Sequence, residues 1–418
     1  ETVVLWDREN GRPVHRAIVW QDRRTADECA KLTEAGHAPL VRERTGLVID
    51  PYFSGTKIAW LLDRVPGLRR RAEAGELACG TIDTWLVHSL TGGNVHATDP
   101  TNASRTLLFG LESGTWDDEL LELFGVPRAL LPEVRASAGD FGTTAGDALG
   151  AELPIAGVAG DQQSALFGQG CWEDGSAKNT YGTGAFLLFH TGDRIARSNH
   201  GLLTTVACGP SGERAFALEG SIFIAGAAVQ WLRDGLGVLA RASDSEEMAR
   251  SLPGNEGVYF VPAFVGLGAP HWEPHVKGSI FGLTRGTTKA HLVRAALEAM
   301  AYGTAEVIAA MAQDAGVDIQ ELRVDGGAAA NDWLMEFQAG LLDVPVRRAA
   351  LLETTALGAA GLAGLHCGVW PSAEAFLAAQ GEARIFQPAM GKEERTALKG
   401  GWSKAVDAAR RFAGPTSP

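Results

Sequence analysis

Three times along this chain a β-prone stretch closes on a glycine-rich turn, and this recurrence constrains the fold more than any other feature. The turns are Gly160-Asp161-Gln162-Gln163, Tyr181-Gly182-Thr183-Gly184 and Asp325-Gly326-Gly327 through Asn331. One such cluster after a strand is ordinary turn chemistry. Three in one chain point to an α/β protein whose turns do work. Glycine lets backbone N–H groups approach phosphate oxygens, and a following helix N-terminus adds a favourable dipole, so turns of this kind can hold a nucleotide without a basic patch. The usual nucleotide loops, GxxxxGK[ST] and a GxGxxG that opens a helix after a strand, are absent, as are HExxH and an evident nucleophile elbow.

Composition agrees with that reading. A chain of 418 residues, 45% of them hydrophobic, exceeds the size at which single cores split, so two domains are expected. The 52 glycines follow no short period and read as many tight turns and close backbone approaches. A formal charge of -13 argues against a nucleic-acid or anionic-membrane surface, so any phosphate site must be local. The five cysteines form no CxxC pair, which disfavours a zinc cage or a disulfide framework and points to the cytoplasm. No apolar run is long enough to span a bilayer.

Local patterns predict strands over Val3–Trp6 and Ala17–Trp20, joined by a polar turn, and helices over Thr25–Ala35 and Thr56–Leu62. Asp50-Pro51 forces an extended entry that places Tyr52 on a loop or helix start. Pro154–Gly160 reads as a strand leading to Asp161, where a helix begins. Ala185–Phe189, Gly201–Ala207 and Leu322–Val324 read as strands; Phe223–Leu232 and, most clearly, His291 to about Ala312 read as helices. The small residues of Gly358–Leu365 suit close helix packing. Gly414–Pro418 reads as a frayed end. The domain boundary is expected between Gly168 and Gly175, dividing the chain into 1–168 and 169–418.

At this point the residues resemble the FGGY carbohydrate kinases. YFSGTKIAWLLD at 52–63 is similar to the first family signature, departing at Arg64, and GSIFGLTRGTTKAHLVRAALE at 278–298 fits the second throughout. Within the family, AIVWQDRRTA at 17–26, GLVIDPYFSGTK at 46–57, DPTNASRT at 99–106, AGDQQSALFGQ at 159–169, KNTYGTGAF at 178–186 and VDGGAAAND at 324–332 resemble the members that phosphorylate glycerol. The resemblance covers nearly the whole chain. It implies the two-domain α/β ATPase fold of actin, hexokinase and the heat-shock 70 chaperones (ribonuclease H-like). It also implies that the family's first strand-hairpin, with its phosphate loop and an Arg just before Glu1, is missing, leaving the first domain incomplete and the chain a poorly active fragment.

Carried over by position, the resemblance implies that Glu1, Tyr52, Asp161 and Gln162 hydrogen-bond glycerol, with Trp20 and Phe186 against its carbon edge. Asp161 is implied as the general base and, through water, as a partner of Mg²⁺. Thr183 with the Gly182–Gly184 turn, Gly226, Gln230, Gly327 and Asn331 are implied to bind ATP. The pattern is chemically coherent: a small triol offers only hydroxyls and a short hydrocarbon face, so carboxylates, a phenol and flanking aromatics can recognise it. Taken alone, Trp20 and Phe186 read as core aromatics, Tyr52 as a loop staple, and His271 and His275 as surface histidines to which no metal is assigned.

A homodimer or homotetramer is expected. Control by fructose 1,6-bisphosphate is unsupported, because Glu152 stands where a binding Arg is usual, and control by a phosphorylated His is unsupported because no His lies between His96 and His190. The competing readings are a related kinase acting on a pentulose, and a non-catalytic ligand-binding protein that keeps the ATPase fold.

Overall fold

The computed structural model describes residues 1–414; Pro415–Pro418, the tip of the expected frayed end, lie outside the described residues. The second half is organised by one seven-stranded sheet. Its order is Arg384–Phe386, Val346–Arg348, Leu322–Asp325, Ala177–Tyr181, Ala185–His190, Arg214–Ile222, Leu203–Cys208. Leu322–Asp325 runs parallel to both its neighbours, with Asp325 opposite Thr180, so the turns after Tyr181 and after Asp325 leave the sheet at the same end. Ligands of open α/β sheets bind outside the carboxyl ends of such strands.

The two faces of this sheet differ. Asn179 and Tyr181 face the 27-residue helix Lys289–Ala315, which spans the expected 291–312 with a further turn's worth of residues. There the Asn179 amide donates to Thr304 Oγ1 at 3.0 Å, and the Tyr181 hydroxyl donates to Gln338 at 2.7 Å. Strand alternation turns Lys178 and Thr180 to the opposite face. That face is covered by the helix Asp161–Gly168, whose Leu166 packs with Leu188, Ala207 and Ala217. The same short helix packs against Thr354–His366, the small-residue segment foreseen for close packing. A Cβ on Gly358 there would collide with the carbonyl oxygen of Ser164.

The first half carries only two-residue to four-residue strands, among them the antiparallel pair Val4–Asp7 and Leu77–Gly80. Its core gathers Leu5, Ile58, Leu61, Phe109 and Leu120, and extends without a break onto Leu203, Val206 and Phe216 of the large sheet. Helices Ala26–Glu34 and Ser54–Arg64 match their expected spans to within two residues.

Two expected strands are not formed. In Ala17–Trp20 only Ile18 makes a bridge, to Val3, before the chain turns at Trp20 and Gln21. Pro154–Gly160 makes two isolated bridges, Pro154 to Thr143 and Gly157 to Ala138. A residue without an N–H and two glycines cannot sustain a ladder. Phe223–Leu232 is helical only from Gly226 onward, to Asp234.

Candidate active site

Asp161 is the first residue of its helix, with an exposed side chain, a place where a carboxylate gains from the helix dipole. Its position is set from below: Gly160 donates its N–H to Thr101 Oγ1 at 2.7 Å. Thr101 is in turn held by the buried carboxylate of Asp99, which also accepts from Asn102 and Ser137. Burial, reinforced by nearby Asp83, lifts the Asp99 carboxyl to about 6. Gln162 beside Asp161 is half-buried, and its Oε1 accepts from the ammonium of Lys178.

A second set of groups is organised by an arginine. Arg105 is buried, forks onto Glu219 at 2.5 and 2.9 Å, and gives its Nε–H to Glu1 at 2.8 Å. Its guanidinium lies 5.9 Å from the Tyr52 ring and 5.3 Å from the Phe53 ring. Planar bidentate pairing fixes Glu219 in orientation as well as charge, and a single charge-assisted bond holds Glu1. Tyr52 is anchored by its carbonyl, which accepts from Lys57 Nζ at 3.0 Å, and its ring meets Trp20 edge-on at 5.3 Å. Burial, with the charges of Glu1, Glu219 and Asp161 adding to it, holds the phenol well above its ordinary value. Tyr52 therefore stays a donor at neutral pH.

Trp20 is 40% exposed, so it is not a core aromatic; it walls the Tyr52 ring on the open side. Phe186 pairs across the sheet with Thr180 and with Ser221, which puts it on the face that carries Lys178. Glu1, Tyr52, Trp20 and Arg105 thus form one contact cluster. Asp161 is near enough for its charge to act on the Tyr52 phenol, whereas Gln162 is bonded to Lys178 and makes no hydrogen bond to this cluster.

The second group is built from backbone. The turn Gly182–Gly184 docks on the helix Gly226–Asp234: Ala225 and Ala227 donate to the Thr183 carbonyl at 2.8 and 3.1 Å, and Gly226 to the Gly182 carbonyl at 3.0 Å. A Cβ on Gly226 would stand 2.6 Å from the Gly182 oxygen, so glycine is required by this approach. Gln230 follows one turn later on the same helix, exposed. Gly326 holds φ 85° against the Tyr181 carbonyl, whereas Gly327 is exposed and a Cβ there would meet nothing within 4 Å. Asn331 caps the helix Asp332–Leu342, its Oδ1 accepting from Leu334 N at 2.9 Å and its amide reaching Ser245 at 3.3 Å. Its capping role is visible in the geometry.

Sequence reasoning missed Arg105, Glu219, Lys178 and Lys57 as parts of this region. Three of them lie inside segments that already stood out, DPTNASRT, KNTYGTGAF and GLVIDPYFSGTK, but nothing local marks a charge as buried. His271 bonds Glu306 at 3.1 Å. Among the described residues no group of three or more His, Cys, Asp or Glu side chains is arranged to hold a metal, and no helix is long and apolar enough to cross a membrane.

Comparison with known proteins bears on the whole of this arrangement. The N-terminal domain of the FGGY family of carbohydrate kinases matches residues 1–168, and its C-terminal domain matches 177–367. A glycerol kinase of Halorhodospira halophila is 60% identical over 407 residues, which is 97% of this chain and 80% of the relative. One from Xanthomonas axonopodis pv. citri is 56% identical over 413 residues, 99% of this chain and 83% of the relative. The crystal structure of Plasmodium falciparum glycerol kinase with ADP superposes with a TM-score of 0.93 at 35% identity, covering 98% of this chain and 82% of that one. A gluconate kinase from Lactobacillus acidophilus shares the fold at 19% identity, with a TM-score of 0.86 and coverage of 99% and 82%. With both domain models matched in order and the fold shared over nearly every residue, the chain belongs to the FGGY family of carbohydrate kinases.

Proposed function

We propose that this protein transfers the γ-phosphoryl group of ATP to a terminal hydroxyl of glycerol, giving sn-glycerol 3-phosphate. The observation that carries this reading is the cluster of Glu1, Tyr52 and Arg105, hydrogen-bonding groups held rigidly beside the Trp20 and Phe53 rings; Asp161 and Gln162 are assigned to the same site as part of the proposal. The relatives named glycerol kinase support the same substrate. Glu1 accepts from hydroxyls, Tyr52 donates, and Asp161 takes the proton of the attacking hydroxyl. Phosphoryl transfer passes through a loose transition state, so a carboxylate can accept that proton late.

ATP belongs at the carboxyl ends of the parallel strands, its phosphates toward Thr183 and the Gly182–Gly184 turn, its adenosine along Gly226, Gln230, Gly327 and Asn331. The open space at Gly327 fits a flat ligand lying against the backbone. Mg²⁺ in such sites is held by one or two carboxylates together with phosphates and waters, and exposed Asp161 is suited to that part. When bound, the ion neutralises charge on the phosphates. The division into a glycerol-binding unit, 1–168, and a nucleotide-binding unit, 169–418, belongs to the same reading. Five unbridged cysteines, four of them buried, suit a cytoplasmic enzyme.

The test is a substrate panel with ATP. Glycerol is expected to be phosphorylated fastest, and a pentulose phosphorylated faster would replace the substrate. Asp161→Asn is expected to lower kcat by about 10³-fold with ATP binding retained, the scale of a lost general base; unchanged turnover removes Asp161 from that role.

A further inference from the structure

Lys178 has no solvent-exposed surface, and its ammonium donates to Gln162 Oε1 and to Thr180 Oγ1, the latter at 2.9 Å. Both of these partners are neutral. A buried cation with only neutral partners is costly, and a Met or Leu would fill the same space without that cost. The structural alternative is a core lysine that merely satisfies itself.

Position argues otherwise. Across the sheet Lys178 pairs with Leu188, and Leu188 pairs with Glu219; Thr180 pairs with Phe186. Strand alternation therefore puts Lys178, Thr180, Phe186 and Glu219 on one face, directly beneath the N-terminus of the helix that carries Asp161 and Gln162. Burial lowers the Lys178 pKa, while the charges of Asp325, Asp161 and Glu219 favour its protonated form.

The consequence falls on Gln162. An ammonium has three donors and no acceptor, so the group of Gln162 that faces it must be the carbonyl. The amide N–H₂, on the residue that follows Asp161, is then kept out of the Lys178 contact. Resting on the proposed glycerol reaction, we propose that Lys178 is a positioning residue that fixes Gln162 as a hydrogen-bond donor to a substrate hydroxyl oxygen, next to Asp161 as the acceptor of a hydroxyl proton. Two successive residues then read hydroxyl groups in both senses, which suits a neutral alcohol. The cation behind the amide also polarises it and strengthens its donation.

The test is a double-mutant cycle on the purified protein with Lys178→Met and Gln162→Ala, reading KM for glycerol with KM for ATP as control. Lys178→Met is expected to raise the glycerol KM about tenfold, the equivalent of one hydrogen bond, with the KM for ATP unchanged. Gln162→Ala is expected to do the same, and the double variant to be no worse than Gln162→Ala alone. Effects that multiply, or an unchanged glycerol KM in Lys178→Met, overturn the proposal. Should Lys178→Met fail to fold, Gln162→Glu replaces it: this side chain pairs with Lys178 but cannot donate, so the glycerol KM is expected to rise, and an unchanged KM overturns the proposal. A wild type that phosphorylates a ketose and not glycerol removes the proposed substrate instead, and the same cycle is then read on the ketose.

Discussion

The two groups of residues in the candidate site are built from different materials. The group assigned to glycerol is made of side chains: Arg105 buried between Glu1 and Glu219, Lys57 under Tyr52, Lys178 under Gln162. The group assigned to ATP is made of backbone, with glycines at 182, 184, 226, 326 and 327 and few charged groups. A small triol can be told from its rivals only by where its hydroxyls point, and that demands fixed donors and acceptors. A triphosphate and a flat base need a close, permissive surface, and glycine supplies it.

This contrast can be broken experimentally. The largest effect is expected from Arg105→Ala, which strands two carboxylates in a buried site. Loss of one partner from a buried ionic cluster costs about 3–5 kcal/mol, to be read by denaturant unfolding, and glycerol binding is expected to fall with it. Gly226→Ala comes next. Its Cβ would press on the Gly182 oxygen at 2.6 Å and push the turn off the helix, at a cost of about 1–3 kcal/mol, as for other overpacked sites, and with a raised KM for ATP.

Gly327→Ala sharpens the comparison. The added methyl meets nothing within 4 Å in the free protein. The thermal midpoint is therefore expected to stay put while the KM for ATP rises and that for glycerol does not. Equal effects on both substrates would deny the division of labour.

The smallest effect concerns Lys57. Burial lowers its ammonium to about 8, with Glu1, Asp22 and Asp50 resisting the fall. The folded state thus gives up this proton before the unfolded chain does. The cost of the buried charge is complete below pH 8 and is relieved as pH rises from about 8 toward 10.5, the ordinary lysine value. This group's contribution is a gain of stability over that window, and Lys57→Met is expected to flatten it in denaturant midpoints compared at pH 7.5 and 9.5.

Much of the second half was legible in the order of residues. The Lys289–Ala315 helix shows a helical rhythm at its apolar positions, and the structure buries it further than one face, since every residue from Ala295 to Tyr302 is enclosed. The turns at Gly182–Gly184 and Gly326–Gly327 announce themselves by glycine. The first half was less legible: PIAGVAG has the apolarity of a strand, yet proline and glycine leave it two isolated bridges. Ala17–Trp20 likewise contributes one bridge at Ile18.

By itself the sequence determined the turn chemistry, the helical periodicities and the acid at the start of the Asp161–Gly168 helix, because these depend on neighbours a few residues apart. Only the tertiary structure decided that Arg105 joins Glu1 to Glu219 and that Lys178 faces Gln162. Glu1 is 104 residues and Glu219 114 residues from Arg105 along the chain. A charged residue looks alike in sequence whether solvated or buried, and its partner is chosen by the packing of one sheet face against one helix, which no local pattern encodes.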